Sequence, residues 1–194
     1  MIKLTTPISE ETARSLKVGD EVLLSGTIVT ARDAAHKLMV EEKPDFPRPY
    51  MKDGVIYHCG PVVKKHDDGS YSFVAAGPTT STREEPYQAA VCEEYSVRAV
   101  IGKGGMGPKT LEGLQKVGAV YLHAVGGAGT LIAKRCTKVE TVFKLEEFGT
   151  PEAFWVVQVE DFPCVVTMDS HGGSLHKEIA AKSDEVAKEL MGLK

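Results

Sequence analysis

Cysteine is scarce in this sequence: four residues, Cys59, Cys92, Cys136 and Cys164, lie far apart with no CxxC pair. That spacing argues against a zinc knuckle or a redox dithiol, and the expectation is four reduced thiols. Six histidines, at 36, 58, 66, 123, 171 and 176, lack metal-ligand spacing, so no metal site is expected on this chain. No apolar run approaches the roughly 18 residues of a membrane-spanning helix, and M-I-K-L-T-T-P-I-S-E lacks a signal peptide's extended apolar segment. A cytoplasmic protein with no membrane partner is therefore expected. A cationic surface is missing too: 27 acids outnumber 23 lysines and arginines, for a net charge of -4, which argues against nucleic acid as the main partner. No linker, repeat or low-complexity segment interrupts the 194 residues, and 42% apolar content suffices for one core, so residues 1-194 are read as a single domain.

What is present is a change of rhythm along the chain. Ser9 followed by E-E-T-A-R-S-L reads as an N-capped helix closing near Gly19-Asp20, and Val22 to Val29 as a strand. Ala31 to Glu42 is helix-like, and Pro44 to Pro49 reads as a loop. Gly54 to Val63 and Tyr71 to Ala76 flank His66-Asp67-Asp68-Gly69, a β-hairpin pattern. From Glu84 helices and strands alternate: helix Glu85 to Tyr95, strand Ala99 to Ile101, helix Pro108 to Val117, strand Ala119 to Val125, helix Gly126 to Cys136. Strands Thr141 to Leu145, Phe154 to Val159 and Cys164 to Met168 and an amphipathic helix Ser174 to Leu190 complete a mixed α/β, layered domain.

Three short runs each place a cation among small or hydroxylic residues just after a strand candidate. They are T-A-R-D at Thr30 to Asp33, G-P-T-T-S-T-R at Gly77 to Arg83 and G-K-G-G-M-G at Gly102 to Gly107. Arg32, Arg83 and Lys103 so placed suit a small polyanion, because a guanidinium grips a carboxylate bidentately and glycines let a ligand approach the backbone. Gly102, Gly104 and Gly107 also spell GxGxxG, but no acid occurs between Glu112 and Glu140 to hold a ribose, so dinucleotide binding is rejected. The hydroxyls of Thr79 to Thr82 have two open readings, helix caps ahead of Glu84 and Glu85 or donors to a carboxylate. For His36, structural and functional readings stand level. Gly126, Gly127 and Gly129 are read as close packing ahead of anion binding.

The three runs, with L-H-A-V-G-G-A-G at Leu122 to Gly129, L-E-E-F-G at Leu145 to Gly149 and V-E-D-F-P-C-V-V-T-M-D-S-H-G at Val159 to Gly172, resemble one family over nearly the whole chain. It is the smaller subunit, or C-terminal domain, of class I iron-sulfur fumarases and the related L(+)-tartrate dehydratases. The resemblance implies a swivelling β/β/α architecture of the kind found in aconitase-type domains. It implies the β subunit of a fumarate hydratase that interconverts fumarate and (S)-malate, working with an α subunit in a hetero-oligomer. A four-iron four-sulfur (4Fe-4S) cluster is expected on that α subunit and not on this chain. By resemblance Thr79 takes the substrate proton, Arg32, Arg83, Thr80 and Lys103 bind the dicarboxylate, and Lys103 also serves catalysis. A threonine hydroxyl is a poor base and needs an acceptor, and with none evident in this chain a partner carboxylate is implied. The A-V-G-G-A run leans toward the fumarase branch; an L(+)-tartrate dehydratase β subunit and a non-catalytic small-acid binding module remain as alternatives.

Overall fold

The computed structural model describes residues 1–192. Strand β1 (Ile2–Thr5) leads into helix α1 (Glu10–Ser15), whose start is fixed by the Ser9 hydroxyl accepting the Thr12 N–H at 3.1 Å, with Glu10 and Glu11 in the first turn. Then come β2 (Glu21–Thr30), α2 (Asp33–Glu41), and a helical turn α3 (Arg48–Met51) that starts within the Pro44 to Pro49 segment expected to be loop. Pro49 sits in the first turn of α3, where a missing N–H costs nothing. β3 (Val55–Tyr57) precedes the hairpin β4 (Val62–Lys65) and β5 (Tyr71–Ala75). A 3-10 turn at Ser81–Arg83 opens the alternating half: α4 (Gln88–Tyr95), β6 (Ala99–Gly102), α5 (Pro108–Val117), β7 (Val120–His123), α6 (Gly129–Ala133) and β8 (Cys136–Phe143). α7 (Leu145–Phe148), the 15-residue β9 (Phe154–Met168) and α8 (Leu175–Leu190) close the chain.

The strands run in the order β1-β2-β3-β6-β7-β9-β8, and β9 also pairs with β2, closing β2, β3, β6, β7 and β9 into a five-stranded barrel. Its β2, β3, β6 and β7 run parallel, with β9 antiparallel to β2 and β7. Side chains alternate across the wall. Val55, Tyr57, Ala99, Ile101, Val120, Leu122, Trp155 and Val157 fill the interior, while Ile56, Val100, Tyr121, Phe154 and Val156 pack outward with Ala35 and Met39 of α2, Val91 and Cys92 of α4 and Leu114 of α5. Being covered on both faces, these short parallel strands read as unbroken apolar runs. Each large side chain so buried contributes about 1.5–3 kcal/mol. The two barrel walls and the helices form the β/β/α layers, in the mixed α/β class that the sequence implies.

Three expected elements differ. The anticipated strands at Phe154 to Val159 and Cys164 to Met168 are one strand, with a bulge at Glu160-Asp161 (Asp161 φ 48°) opposite Ser25 of β2. The bulge absorbs the irregularity that Asp161 and Pro163 signal. The helix expected over Gly126 to Cys136 shrinks to Gly129–Ala133, since Gly127 takes φ 79° and Cys136 enters edge strand β8, where strand was expected only from Thr141. The run Gly54 to Val63 splits at Cys59-Gly60-Pro61, which carries the chain from the barrel to the hairpin.

Candidate functional site

The three cation-bearing runs meet at one end of the barrel. Arg32 follows the carboxyl end of β2 and Lys103 that of β6. Between them β3 ends at Tyr57, and the segment Thr79 to Ser81 is laid across the rim. Thr79 N–H donates to the His58 carbonyl at 2.6 Å, Lys103 N–H to the Thr79 carbonyl at 3.3 Å, and Ser81 N–H to the Lys103 carbonyl at 3.1 Å. Thr80 and Lys103 form a parallel bridge. The segment thus acts as a short extra strand bridging β3 and β6 beyond their ends. Glycine makes it possible: a Cβ on Gly102 would run into the Ser81 hydroxyl, with the Tyr121 hydroxyl and His58 ring close behind. Carboxyl ends of parallel strands are where α/β sheets collect ligands.

The arginines form a compensated pair. Arg83 holds Asp33 through an Nε hydrogen bond to Oδ1 at 3.0 Å and an ion-pair contact of Nη2 with Oδ2 at 2.9 Å, an oxygen that has no hydrogen-bond partner. Arg32 reaches the same carboxylate at 3.8 Å and Glu152 at 3.4 Å, and its buried Nε has no hydrogen-bond partner. The local Arg32-Asp33 pair of the structural reading is therefore the weaker contact; Asp33's main partner lies fifty positions away, where no local signal reveals it. Beside them Glu84 is fully buried with both carboxylate oxygens unpartnered. Burial first, then the Asp33 charge, pushes its carboxyl up to about 7, against the pull of Arg83 and Arg32.

Lys103 stands differently. Among the described residues its ammonium has neither carboxylate nor hydrogen-bond partner, and Gly126, just past β7, lies against its methylenes. The hydroxyls of Thr79, Thr80 and Thr82 likewise make no hydrogen bond among the described residues. The capping expectation for this cluster is corrected: Thr80 opens the 3-10 turn and Tyr87 opens α4, neither with a side-chain cap. Pro86 holds the α4 start back to Gln88. Glu85 serves elsewhere, taking Gly107 N–H at 2.8 Å, Thr110 N–H at 3.1 Å and the Thr110 hydroxyl at 2.6 Å, which ties the glycine loop of Lys103 to the Arg83 segment. Gly129 packs against Gly77, the close-packing role expected of that glycine run.

His36 and His58 are fully buried behind this rim, both lowered in pKa by desolvation and so neutral. His36 Nδ1 lies 2.9 Å from the Arg32 carbonyl, and His58 Nδ1 lies 2.8 Å from the Ser81 hydroxyl, which is 2.8 Å from that of Tyr121. For His36 the structural reading is the one the geometry favours: its ring is under the site, not in it. The cysteines do not fit a cluster. Burial pushes the Cys92 and Cys136 thiols up to about 12 and Cys59 and Cys164 higher still, opposite to what thiolate ligation needs, and the described residues hold no group of three or more metal-ligating side chains.

These elements form a cationic rim, partly uncompensated, with hydroxyls that have no hydrogen-bond partner among the described residues. The Fumarase C-terminus family model matches residues 1–179, and the chain belongs to that family. It is 52% identical over 186 residues to "Putative fumarate hydratase class I" of Geobacillus stearothermophilus, covering 95% of this chain and 35% of that protein. The chain therefore spans about a third of that relative. It is 40% identical over 193 residues to the L(+)-tartrate dehydratase subunit beta of Escherichia coli K12, covering 96% of this chain and 94% of the relative. Among the described residues no helix is long and apolar enough to cross a membrane.

Proposed function

We propose that the chain is the β subunit of a two-subunit class I fumarate hydratase, adding water to fumarate to give (S)-malate and removing it again. The observation that carries this reading is the meeting of Arg32, Thr79, Arg83 and Lys103 at one barrel end, with Lys103 and the Thr79 hydroxyl unpartnered. A four-carbon dicarboxylate needs two cationic anchors. Arg32 and Arg83 supply one, exchanging part of their hold on Asp33 and Glu152 for a substrate carboxylate, and Lys103 with the Thr80 hydroxyl supplies the other. The Thr80–Lys103 bridge and the Lys103 N–H bond to the Thr79 carbonyl tie the Thr79 backbone to that of Lys103. The Thr79 hydroxyl accepts the proton from the carbon next to the carboxylate as it passes its own proton to a carboxylate of the partner subunit, and Lys103 stabilises the charge that accumulates on the substrate carboxylate as the proton leaves.

The site is a surface ledge, with Thr80 and Arg83 exposed and Arg32, Thr79 and Lys103 half-buried. Two concavities of about 560 Å³ lie elsewhere, one bounded by Thr6, Arg48 and Asp53 and the other by Val125, Leu131 and Pro163, and neither includes these four residues. A ledge half open to water needs a second chain to enclose the substrate and activate its hydroxyl. The 35% coverage of the first relative, whose chain is nearly three times as long, supports that division of labour. We assign the 4Fe-4S cluster to this α subunit; the chemistry of the present chain runs through its own cations and hydroxyl.

An L(+)-tartrate dehydratase β subunit is the second reading, favoured by the end-to-end match with a protein of that name. Anaerobic co-expression with a candidate larger subunit, followed by parallel assays with fumarate, (S)-malate and L-tartrate, tests both. Turnover of fumarate and malate is expected; turnover of tartrate alone selects the second reading, and failure with all three removes both.

A further inference from the structure

Gln88 sits at the centre of the buried polar cluster under the rim. Its amide oxygen Oε1 lies 2.9 Å from His36 Nε2 and 2.7 Å from His58 Nε2, and its amide nitrogen Nε2 lies 3.3 Å from Cys92 Sγ. Which end of the amide faces the imidazoles follows from counting protons. The Arg32 carbonyl can only accept, so His36 Nδ1 carries a proton to donate. With the amide oxygen facing His36 Nε2, that nitrogen needs a second proton, leaving a fully buried imidazolium that no carboxylate contacts. Turning the amide removes the conflict. The NH₂ group then donates one proton to each Nε2, and the amide oxygen accepts the Cys92 thiol proton. His36 Nδ1 donates to the Arg32 carbonyl, and His58 Nδ1 donates to the Ser81 hydroxyl. Every group in the chain is neutral and satisfied.

We propose that Gln88 is a positioning residue, whose amide NH₂ fixes both His36 and His58 as Nδ1–H tautomers and through them holds the Arg32 backbone and the Thr79 to Ser81 segment in register. The two segments need such a link, because β2 and β6 are not neighbours and only β3 lies between them. His36 reaches one, His58 the other, and Gln88 joins the two rings, which meet edge to face at 5.1 Å. The Arg32 carbonyl is gripped twice, by the His36 N–H at 2.8 Å and by the His36 ring. Arg32 and Thr79 are thereby set at a fixed spacing by groups that never touch the ligand. The consequence for turnover rests on the hydratase reading; the tautomers do not.

The test has two independent arms. Histidine nitrogen NMR of the labelled full chain, assigned with His36→Asn and His58→Asn, is expected to show both rings as neutral Nδ1–H tautomers that protonate only below the ordinary imidazole range. An Nε2–H tautomer or an imidazolium at either ring overturns the proposal. In the complex with the α subunit, Gln88→Glu offers the same shape with acceptors in place of donors, and Gln88→Met offers similar length with neither. Both are expected to lower kcat/KM for fumarate by about tenfold or more through misplacement of the reacting groups. Wild-type kinetics for Gln88→Glu overturns the proposal, because a site that needs an acceptor at Gln88 tolerates a carboxylate. If the wild-type complex hydrates neither fumarate nor tartrate, the functional reading falls and the tautomer spectrum alone decides the proposal.

Discussion

The two arms of the cationic rim differ in how their charge is balanced. On the arginine arm, Arg32 and Arg83 share Asp33, Arg32 also reaches Glu152, and the buried Glu84 stands by with no partner. On the lysine arm, Lys103 and the Thr79 and Thr80 hydroxyls have no side-chain partners among the described residues. One arm is organised before any ligand arrives. The other gains its partners only from a ligand. An anion meeting this surface therefore displaces existing contacts on the first arm and makes new ones on the second, so affinity and turnover are expected to separate between them.

The most forceful way to break that comparison is Thr79→Ala. With no cap or hydrogen bond to lose, the variant should keep its melting temperature, assemble with the α subunit and bind malate. Exchange of the malate C3 proton with solvent should slow by roughly 10²-fold or more. Normal exchange would move proton transfer to another group. Arg83→Ala and Arg32→Ala come next. Each removes a charge-assisted contact worth roughly 1.5–3 kcal/mol, read mainly in KM, and lysine at either position should restore only part of it because it cannot bind bidentately. Unchanged KM in both alanine variants returns these residues to the role they visibly have, pairing with Asp33.

The arms were not equally legible in the sequence. Thr30 to Asp33, Gly77 to Arg83 and Gly102 to Gly107 stand out locally, because each couples a strand end to a cation and small residues. The first and third converge once β2, β3 and β6 are parallel neighbours with their carboxyl ends together, and the second, which follows the hairpin, joins them through its backbone bonds to His58 and Lys103. The pairing of Asp33 with Arg83, the burial of Glu84 and the Gln88 link were not legible. Each depends on a contact between distant segments, and Glu84 read as a helix-start acid like Glu85 beside it. The hydroxyl cluster misled for the same reason: capping is the local use of threonine, and here the 3-10 turn leaves those hydroxyls free. The barrel closure was hidden by β9, whose two halves look like separate strands around Asp161 and Pro163.

Glu84 sharpens the contrast through pH. A carboxyl raised in the folded chain from 4.5 to about 7 holds its proton there more tightly than in the unfolded chain. It therefore favours folding at low pH, and it costs stability progressively as the pH climbs from 4.5 toward 7, with the full cost present above that. Glu84→Gln should remove this slope. Urea unfolding should find the variant more stable than wild type by roughly 2–3 kcal/mol at about pH 8 and nearly equal at about pH 4. An unchanged difference across that range would mean that Glu84 finds a partner or water in solution.

The smallest expected effect on folding belongs to Lys103, and its smallness is the point. A lysine held in place by an ion pair leaves a carboxylate stranded when it is replaced, whereas Lys103 has no such partner among the described residues. Its contacts to the Thr79–Ser81 segment are made by its backbone, which any residue retains. Lys103→Met keeps the methylene stem against Gly126 and removes only the charge. Denaturant unfolding should therefore shift by no more than about 0.5 kcal/mol, the range of substitutions that break no buried contact. Fumarate hydration by the assembled enzyme should nevertheless fall steeply, since the lysine arm has no second cation to take over. A variant that is strongly destabilised would reveal a hidden partner for Lys103 and erase the difference between the arms; a stable variant with full activity would leave the arginine arm as the whole anion site.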